Sequence, residues 1–224
     1  MRTGMEMDLD VLLNEIREEM WNTRHLTGRS ALDARVMEAL REVPRHAFVP
    51  DDLKHGAYAN HPLPIGHGQT ISQPYIVALM TDLIRPQAED VVLEIGTGSG
   101  YQAAVLSRLV KQVYSMEIVD ALAQEAGTRL QRLGYDNIEV RRGNGRQGWP
   151  QHAPYDAILV TAAAATIPAA LIGQLKPGGT LVMPVGVQHA AQDLVLVTKD
   201  ADGSVGQRHV LPVVFVPLTG APDS

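Results

Sequence analysis

The residues with the clearest chemical meaning in this 224-residue chain are Glu94-Ile95-Gly96-Thr97-Gly98-Ser99-Gly100, which follow the apolar run Val91-Val92-Leu93. Glycines at such a strand-to-helix junction let the backbone approach a ligand where a Cβ would collide, and they turn backbone N–H groups toward it. The spacing Gly96-x-Gly98-x-Gly100 departs from the dinucleotide fingerprint G-x-G-x-x-G and lacks the Gly-Lys-Ser/Thr ending of a P-loop. Glu94 stands beside the loop, where a carboxylate repels pyrophosphate and suits the ammonium of an amino-acid ligand, directly or through water. Glu117 ends the next apolar run, where a carboxylate can accept both ribose hydroxyls of an adenosine. Loop, Glu94 and Glu117 together specify an adenosyl ligand carrying an amino acid, which is S-adenosylmethionine (SAM). Taken singly, the glycines read as well as a tight strand-to-helix turn, and Glu117 as a solvated strand end.

These residues need elements to hold them. Leu9, Leu12, Leu13, Ile16 and Met20 share one helical stripe. A second helix is predicted from about Ser30, with Asp33 as its capping partner, through Val36, Met37 and Leu40, stopping before Pro44. From there to Gly68 the chain reads as loop. Ser72-Gln73-Pro74 opens a third helix, with Ser72 as its expected N-cap and proline in the first turn. After Pro86, short apolar runs at 91–93, 113–116, 138–140 and 157–160 are separated by helical stretches near 101–110 and 121–133, the alternation of βαβ units. A strand at 180–183 follows Pro177-Gly178-Gly179, and runs at 194–197 and 210–216 read as a hairpin around Asp202-Gly203. The expected fold is a doubly wound, mainly parallel, Rossmann-like α/β sheet with an N-terminal helical extension and a C-terminal antiparallel hairpin. We read 1–224 as a single domain, with helices and a loop over 1–85 and the ligand-binding α/β core over 86–224.

Composition narrows the partners. The net charge is -6, from 19 Lys+Arg against 25 Asp+Glu, so no positive field gathers phosphate backbones and nucleic acid is not expected. The chain has no cysteine, which removes disulfides and thiolate chemistry and fits a reducing compartment. The first twenty residues mix apolar side chains with Asp8, Asp10, Glu15, Arg17, Glu18 and Glu19, so neither a signal peptide nor a membrane span is expected. A cytoplasmic monomer without membrane attachment is the expectation.

Five ordered segments then resemble the protein-L-isoaspartate O-methyltransferases. The most specific is Leu63-Pro64-Ile65-Gly66-x-Gly68-Gln69-Thr70-Ile71-Ser72-Gln73-Pro74, which looks like that family's signature and which general SAM methyltransferases lack. Val43-Pro44-Arg45-x-x-Phe48-Val49-Pro50, Leu93 to Gln102, Thr161-Ala162-Ala163 and Phe215-Val216-Pro217-Leu218 are similar to it in order and spacing. The resemblance implies methyl transfer from SAM to the α-carboxylate of isoaspartyl residues in peptides and proteins, leaving S-adenosylhomocysteine and starting a repair through a succinimide. It makes Ser72 the active-site residue, to which we assign the orienting of the acceptor carboxylate and no covalent role. Thr70, Ile71, Gln73, Val216, Pro217 and Leu218 should line the peptide groove. Cofactor contacts should come from Glu94, Gly96, Thr97, Gly98, Ser99 and Gly100, from Glu117 with Ile118, from Gly143 and Asn144, and from Thr161. At Gly143-Asn144-Gly145 the family usually has Gly-Asp-Gly, whose acid accepts from the adenine amino group; Asn144 can accept only through its uncharged carbonyl oxygen. The segment Ala164-Ala165-Thr166-Ile167-Pro168 also departs from the family's usual proline and acidic residues.

Several features were weighed against plainer readings. His55, His61 and His67 lack a metal-site spacing or a carboxylate partner, so no metal is expected. Trp149 could stack on adenine or act as a local packing anchor and is left unassigned. Asp156 is expected to cap or solvate the start of its strand. Two other functions remain open at this point: a SAM-dependent carboxyl methyltransferase acting on Asp in a modified peptide or on a small acid, and a non-catalytic SAM-binding module.

Overall fold

Leu12, Leu13, Ile16 and Met20 become the buried stripe of α1 (Gly4–Asn22), as their three- and four-residue spacing requires. The computed structural model describes residues 4–187 and 191–220, so the outermost residues of the expected 1–224 unit lie outside it. A single turn, α2 (Arg24–Thr27), ends on Gly28 at φ 71° and leads to α3 (Ala34–Glu42). That helix starts four residues later than expected. Asp33 is itself the N-cap, accepting from the Arg35 N–H at 2.8 Å, so no partner at Ser30 is needed.

The stretch expected as loop carries local structure. Short 3-10 turns span Arg45–Phe48 and Asp51–Gly56, and a hairpin joins β1 (Leu63–Gly66) to β2 (Gln69–Ile71). His67 and Gly68, at its tip, both have positive φ (52° and 69°), the geometry of a primed two-residue turn. In α4 (Pro74–Leu83), Pro74 occupies the first turn as anticipated, but the N-cap is Gln73 and not Ser72. Proline forces the preceding residue out of the helical region, and Gln73 has φ -51° and ψ 134°.

The sheet runs through β3 (Val91–Ile95), β4 (Gln112–Glu117), β5 (Ile138–Arg142), β6 (Tyr155–Val160), β7 (Leu175–Val185), β8 (Gln192–Lys199) and β9 (Val205–Val213). Interleaved helices are α5 (Tyr101–Ser107), α6 (Asp120–Arg132) and α7 (Ala169–Gly173). Strand order is β5-β4-β3-β6-β7-β8-β9, parallel as far as β7 and antiparallel for β8 and β9. Successive residues face opposite sides: Val92 and Leu159 belong to the apolar cluster under the N-terminal helices, Leu93 and Ile158 to the cluster on the other face. Burial on both faces explains the unbroken apolar runs. Because chain order reverses across β3, its carboxyl end opens into the switch-point crevice. The last strand stops at Val213 rather than Val216, since the Gln192 side chain captures Phe215: the Phe215 N–H donates to Oε1 at 2.7 Å.

Candidate active site

The glycine loop is shaped by its backbone. Gly96, Gly98 and Gly100 have φ of 95°, 53° and 89°, a region that side-chain-bearing residues rarely adopt. Gly96 N–H donates to Met116 O at 2.8 Å, and the Thr161 hydroxyl donates to Gly96 O at 2.7 Å. A methyl group at position 96 would collide with that hydroxyl. Thr161, read as a cofactor contact, therefore also braces the loop. Gly100 serves as the N-cap of α5 and lines neither of the two cavities described below.

Beneath the loop lies a polar chain of a kind that sequence reading did not anticipate. The Thr97 hydroxyl is hydrogen-bonded to the Ser115 hydroxyl at 2.6 Å, and Ser115 donates to Glu94 Oε2. Thr97 and Glu94 are buried, at 3% and 0% exposure, so the acid expected beside an ammonium sits under the loop and lines neither cavity described below. Glu94 Oε1 has no hydrogen-bond partner among the described residues. Burial pushes this carboxyl up to about 8, with nearby Glu117 adding to the rise and the Ser115 hydrogen bond opposing it.

Glu117 does reach the crevice. Its Oε2 accepts from Gly98 N–H at 2.9 Å, and its Oε1 from the N–H groups of Ile118 and Val119, each at 2.9 Å. Three donors leave a carboxylate about one further acceptor site, so a pair of ribose hydroxyls would have to displace a loop N–H. Glu117 and Ile118 line a narrow recess of about 50 Å³ with Ile95, Gly145 and Leu218. A side chain at 145 would strike Ile95 and Leu218, so the glycine keeps a flat slot open. The expected adenine contacts, Gly143 and Asn144, are not in the recess wall. Asn144 Oδ1 instead accepts from Arg146 N–H at 3.1 Å, capping the turn Gly145–Gln147. Trp149 is 4% exposed and packs edge-on to Tyr114 and His152, which settles it as a packing anchor.

The recess shares Thr70, Gly96, Gly98, Thr161, Val216 and Pro217 with a wide cleft of about 1090 Å³. That cleft also takes in Ile71, Ser72, Gln73 and Ser99, so the donor loop and the acceptor segment face one space. Leu218 belongs to the recess rather than the wide cleft. The Val216 to Leu218 tail is held by Ala163, whose N–H donates to Val216 O at 2.8 Å and whose carbonyl accepts from Leu218 N–H at 2.7 Å. The Arg146 guanidinium donates to Leu218 O at 3.2 Å.

Ser72 is half-buried in the cleft wall, and its backbone is pinned from below. Arg45, at 1% exposure, donates from Nη2 to Ser72 O at 2.8 Å and from Nε to Ala57 O at 2.9 Å. Its guanidinium lies 4.8 Å from the ring centroid of Tyr101, the first residue of α5. One buried cation thus ties the acceptor segment to the helix that follows the donor loop. Sequence reading placed Arg45 in a matching segment without giving it a role; an arginine flanked by Pro44 and Phe48 was the only signal available. Asp156 does start its strand, accepting from Val91 N–H and Lys176 Nζ. Among the described residues no group of three or more metal-ligating side chains gathers, and no helix is long and apolar enough to cross a membrane.

Comparison with known proteins addresses the whole chain. A family model described as Protein-L-isoaspartate(D-aspartate) O-methyltransferase matches residues 17–223. The chain is 59% identical over 209 residues to Protein-L-isoaspartate O-methyltransferase 2 of Polaromonas sp., covering 93% of this chain and 99% of that one. With the protein of the same name from Pelobacter propionicus it shares 50% identity over 222 residues, 99% of each chain. A solved protein-L-isoaspartate O-methyltransferase superimposes with TM-score 0.77 at 29% identity, covering 91% of this chain and 66% of that one. A Plasmodium falciparum structure, described as a protein-L-isoaspartate O-methyltransferase in complex with S-adenosyl-L-homocysteine, shares the fold at TM-score 0.76 and 23% identity. It is matched over 94% of this chain and 98% of that one.

Proposed function

Because the chain belongs to the protein-L-isoaspartate(D-aspartate) O-methyltransferase family, we infer that its wide cleft presents the α-carboxylate of an L-isoaspartyl residue to SAM. The enzyme methylates that carboxylate and leaves S-adenosylhomocysteine; the ester then closes to a succinimide without further help, because an alkoxide leaves more readily than the oxide of a free acid. The observation that carries the reading is that Ser72 and Gln73 share one cleft with Gly96 to Ser99.

The residues present suit SAM. Positive-φ glycines expose backbone to a ligand, Glu117 offers a carboxylate at the recess, and Gly145 keeps a slot between Ile95 and Leu218. Glu117, Ile118 and Gly145 would hold the adenosine, with Gly96, Gly98 and Thr161 beneath the remainder. Glu94 and Thr97 act from below, fixing the loop through Ser115. When bound, SAM supplies an electrophilic methyl group on a sulfonium.

The chain's own work is positioning. A carboxylate of ordinary pKa near ~4 is already ionised at neutral pH, so no general base is required. The Ser72 hydroxyl makes no helix cap, Gln73 having taken that position, and it donates to one oxygen of the acceptor so that the other faces the methyl group. Arg45 keeps Ser72 in place through its carbonyl. Val216 and Pro217 add apolar wall to both recess and cleft, and an apolar site favours a reaction in which opposite charges cancel. Fixed geometry of this kind supplies several kcal/mol of barrier reduction, on the order of ~7–11 kcal/mol at its upper limit.

A cytoplasmic monomer without nucleic-acid partners belongs to the same reading. It is supported by the absence of cysteine, by the charge of -6, and by the fact that donor loop and acceptor segment come from one chain. The test compares matched peptides containing isoaspartate, aspartate or asparagine with labelled SAM. Label and base-released methanol from the isoaspartyl peptide alone is the expected result; exclusive labelling of another acceptor overturns it.

A further inference from the structure

The wide cleft is unevenly charged. Among its described lining residues a single side chain is a carboxylic acid or a base, and that side chain is Glu19 from α1. Its neighbours in the wall are hydroxyls, amides, tyrosines and apolar groups, with no lysine, arginine, aspartate or second glutamate among them. Glu19 is half-buried and held in one orientation: Oε2 accepts from Asn60 Nδ2 at 2.7 Å and from Gln73 Nε2 at 3.1 Å. Asn60 is fixed in turn by accepting the Tyr75 N–H at 3.0 Å, and Thr23, one turn after Glu19, is hydrogen-bonded to the Tyr75 hydroxyl at 2.5 Å. The carboxylate is therefore built into the wall. Burial raises its pKa, the Asn60 and Gln73 hydrogen bonds oppose that rise, and nearby Glu15 adds slightly to it.

Gln73 adjoins Ser72 in sequence, so the Glu19 charge lies within one side-chain length and one hydrogen bond of the acceptor anchor. An extended peptide advances about ~3.3–3.6 Å per residue. From an isoaspartyl group resting at Ser72, a peptide that runs toward α1 brings a side chain roughly one to three residues away within reach of Glu19.

Resting on the reading of the cleft as a peptide site, we propose that Glu19 sets a charge preference for the sequence around the damaged residue, favouring a flanking lysine or arginine and disfavouring a flanking aspartate or glutamate. The acceptor carboxylate is common to every substrate, so its own repulsion from Glu19 cancels when two flanking sequences are compared. No contact in the α/β core supplies the same discrimination, since its lining residues are uncharged apart from Glu117 in the recess.

The experiment uses two isoaspartyl peptides, identical except that lysine or glutamate stands two residues from the damaged position. Binding is read by fluorescence anisotropy in the presence of S-adenosylhomocysteine, and kcat/KM with labelled SAM. The wild type should prefer the lysine peptide by about five- to tenfold at low salt. Glu19→Gln, which keeps an acceptor for Asn60 and Gln73, should reduce that ratio to within about twofold. In the wild type, raising the ionic strength from about 0.02 M to about 0.5 M should shrink the preference without any substitution. No preference in the wild type, a preference retained in Glu19→Gln, or an equal loss for both peptides would each overturn the proposal, the last by revealing a purely structural role. A charge preference in binding without methyl transfer to isoaspartate would refute the assigned reaction and leave the role of Glu19 supported.

Discussion

The Glu94 to Gly100 loop and the Gly68 to Pro74 segment face each other across one cleft, and they are held differently. The loop is secured by its immediate surroundings: Gly96 hydrogen-bonds to β4, Thr161 braces it from the end of β6, and Thr97, Ser115 and Glu94 link it to two adjacent parallel strands. The acceptor segment has no such sheet beneath it. It ends a two-stranded hairpin and depends on Arg45, 27 residues earlier, and on Glu19, 54 residues before Gln73. A generic donor site can be made from neighbouring strands, whereas a substrate-specific wall here is assembled from distant parts of the N-terminal extension.

Removing the remote anchor should do most damage. Arg45→Ala leaves the carbonyls of Ala57 and Ser72 without their buried donor and opens a void, with an expected cost of about 3–5 kcal/mol in urea unfolding. If the loss stays below about 1 kcal/mol, the acceptor segment does not rest on Arg45 and the contrast disappears.

Next in size is the acceptor contact itself. Ser72→Ala should lower turnover on an isoaspartyl peptide about 30-fold, near ~2 kcal/mol, with S-adenosylhomocysteine affinity within about twofold by calorimetry. Unchanged turnover would remove Ser72 from its role. Glu117→Gln should give the opposite split, weakening S-adenosylhomocysteine binding about tenfold, or ~1.4 kcal/mol, while turnover at saturating SAM changes less. Wild-type affinity in that variant would take Glu117 out of the ribose contact.

The last expected effect is a slope rather than a change at one pH. Glu94 is pushed up to about 8 in the folded protein from an ordinary value of 4.5, so between those pH values the folded state holds a proton that the unfolded chain has lost. Stability from this group therefore falls as pH rises through that window and levels off above it. Glu94→Gln should flatten the dependence by up to about 1.4 kcal/mol per pH unit, measured by urea unfolding of the ligand-free protein at several pH values. Identical slopes in both proteins would show that Glu94 is ionised under the loop.

Periodicity and turn chemistry made the parallel core legible, because its strands are short apolar runs buried on both faces and separated by helical stretches. The same reasoning failed between Pro44 and Gly68, where short 3-10 turns and a hairpin of three- and four-residue strands are too brief to establish a period. It misplaced the cap of α4, assigning Ser72 a local task that Gln73 fills by backbone geometry. Nor did it reveal the internal partners of the polar residues near the ligand site. Thr97 lies next to Gly98 in the loop, but its side chain turns inward to Ser115, and the Asn144 carbonyl oxygen is engaged by Arg146 two residues on.

What the sequence by itself determined was the doubly wound α/β order, the position of the glycine loop at the carboxyl end of β3, and, through the resemblance of five segments, the chemistry to be expected. Those properties follow from side-chain types at fixed short spacings, which is the information a linear chain displays. Tertiary structure alone decided which acids face solvent, ligand or core: Glu94 became a buried support whose pKa is pushed up, Glu117 an acceptor of three backbone donors, and Glu19 the one acid among the described residues lining the wide cleft. A carboxylate's role is set by its dielectric surroundings and by the donors within about 3 Å of it, and both arise from segments that meet only when the chain is folded.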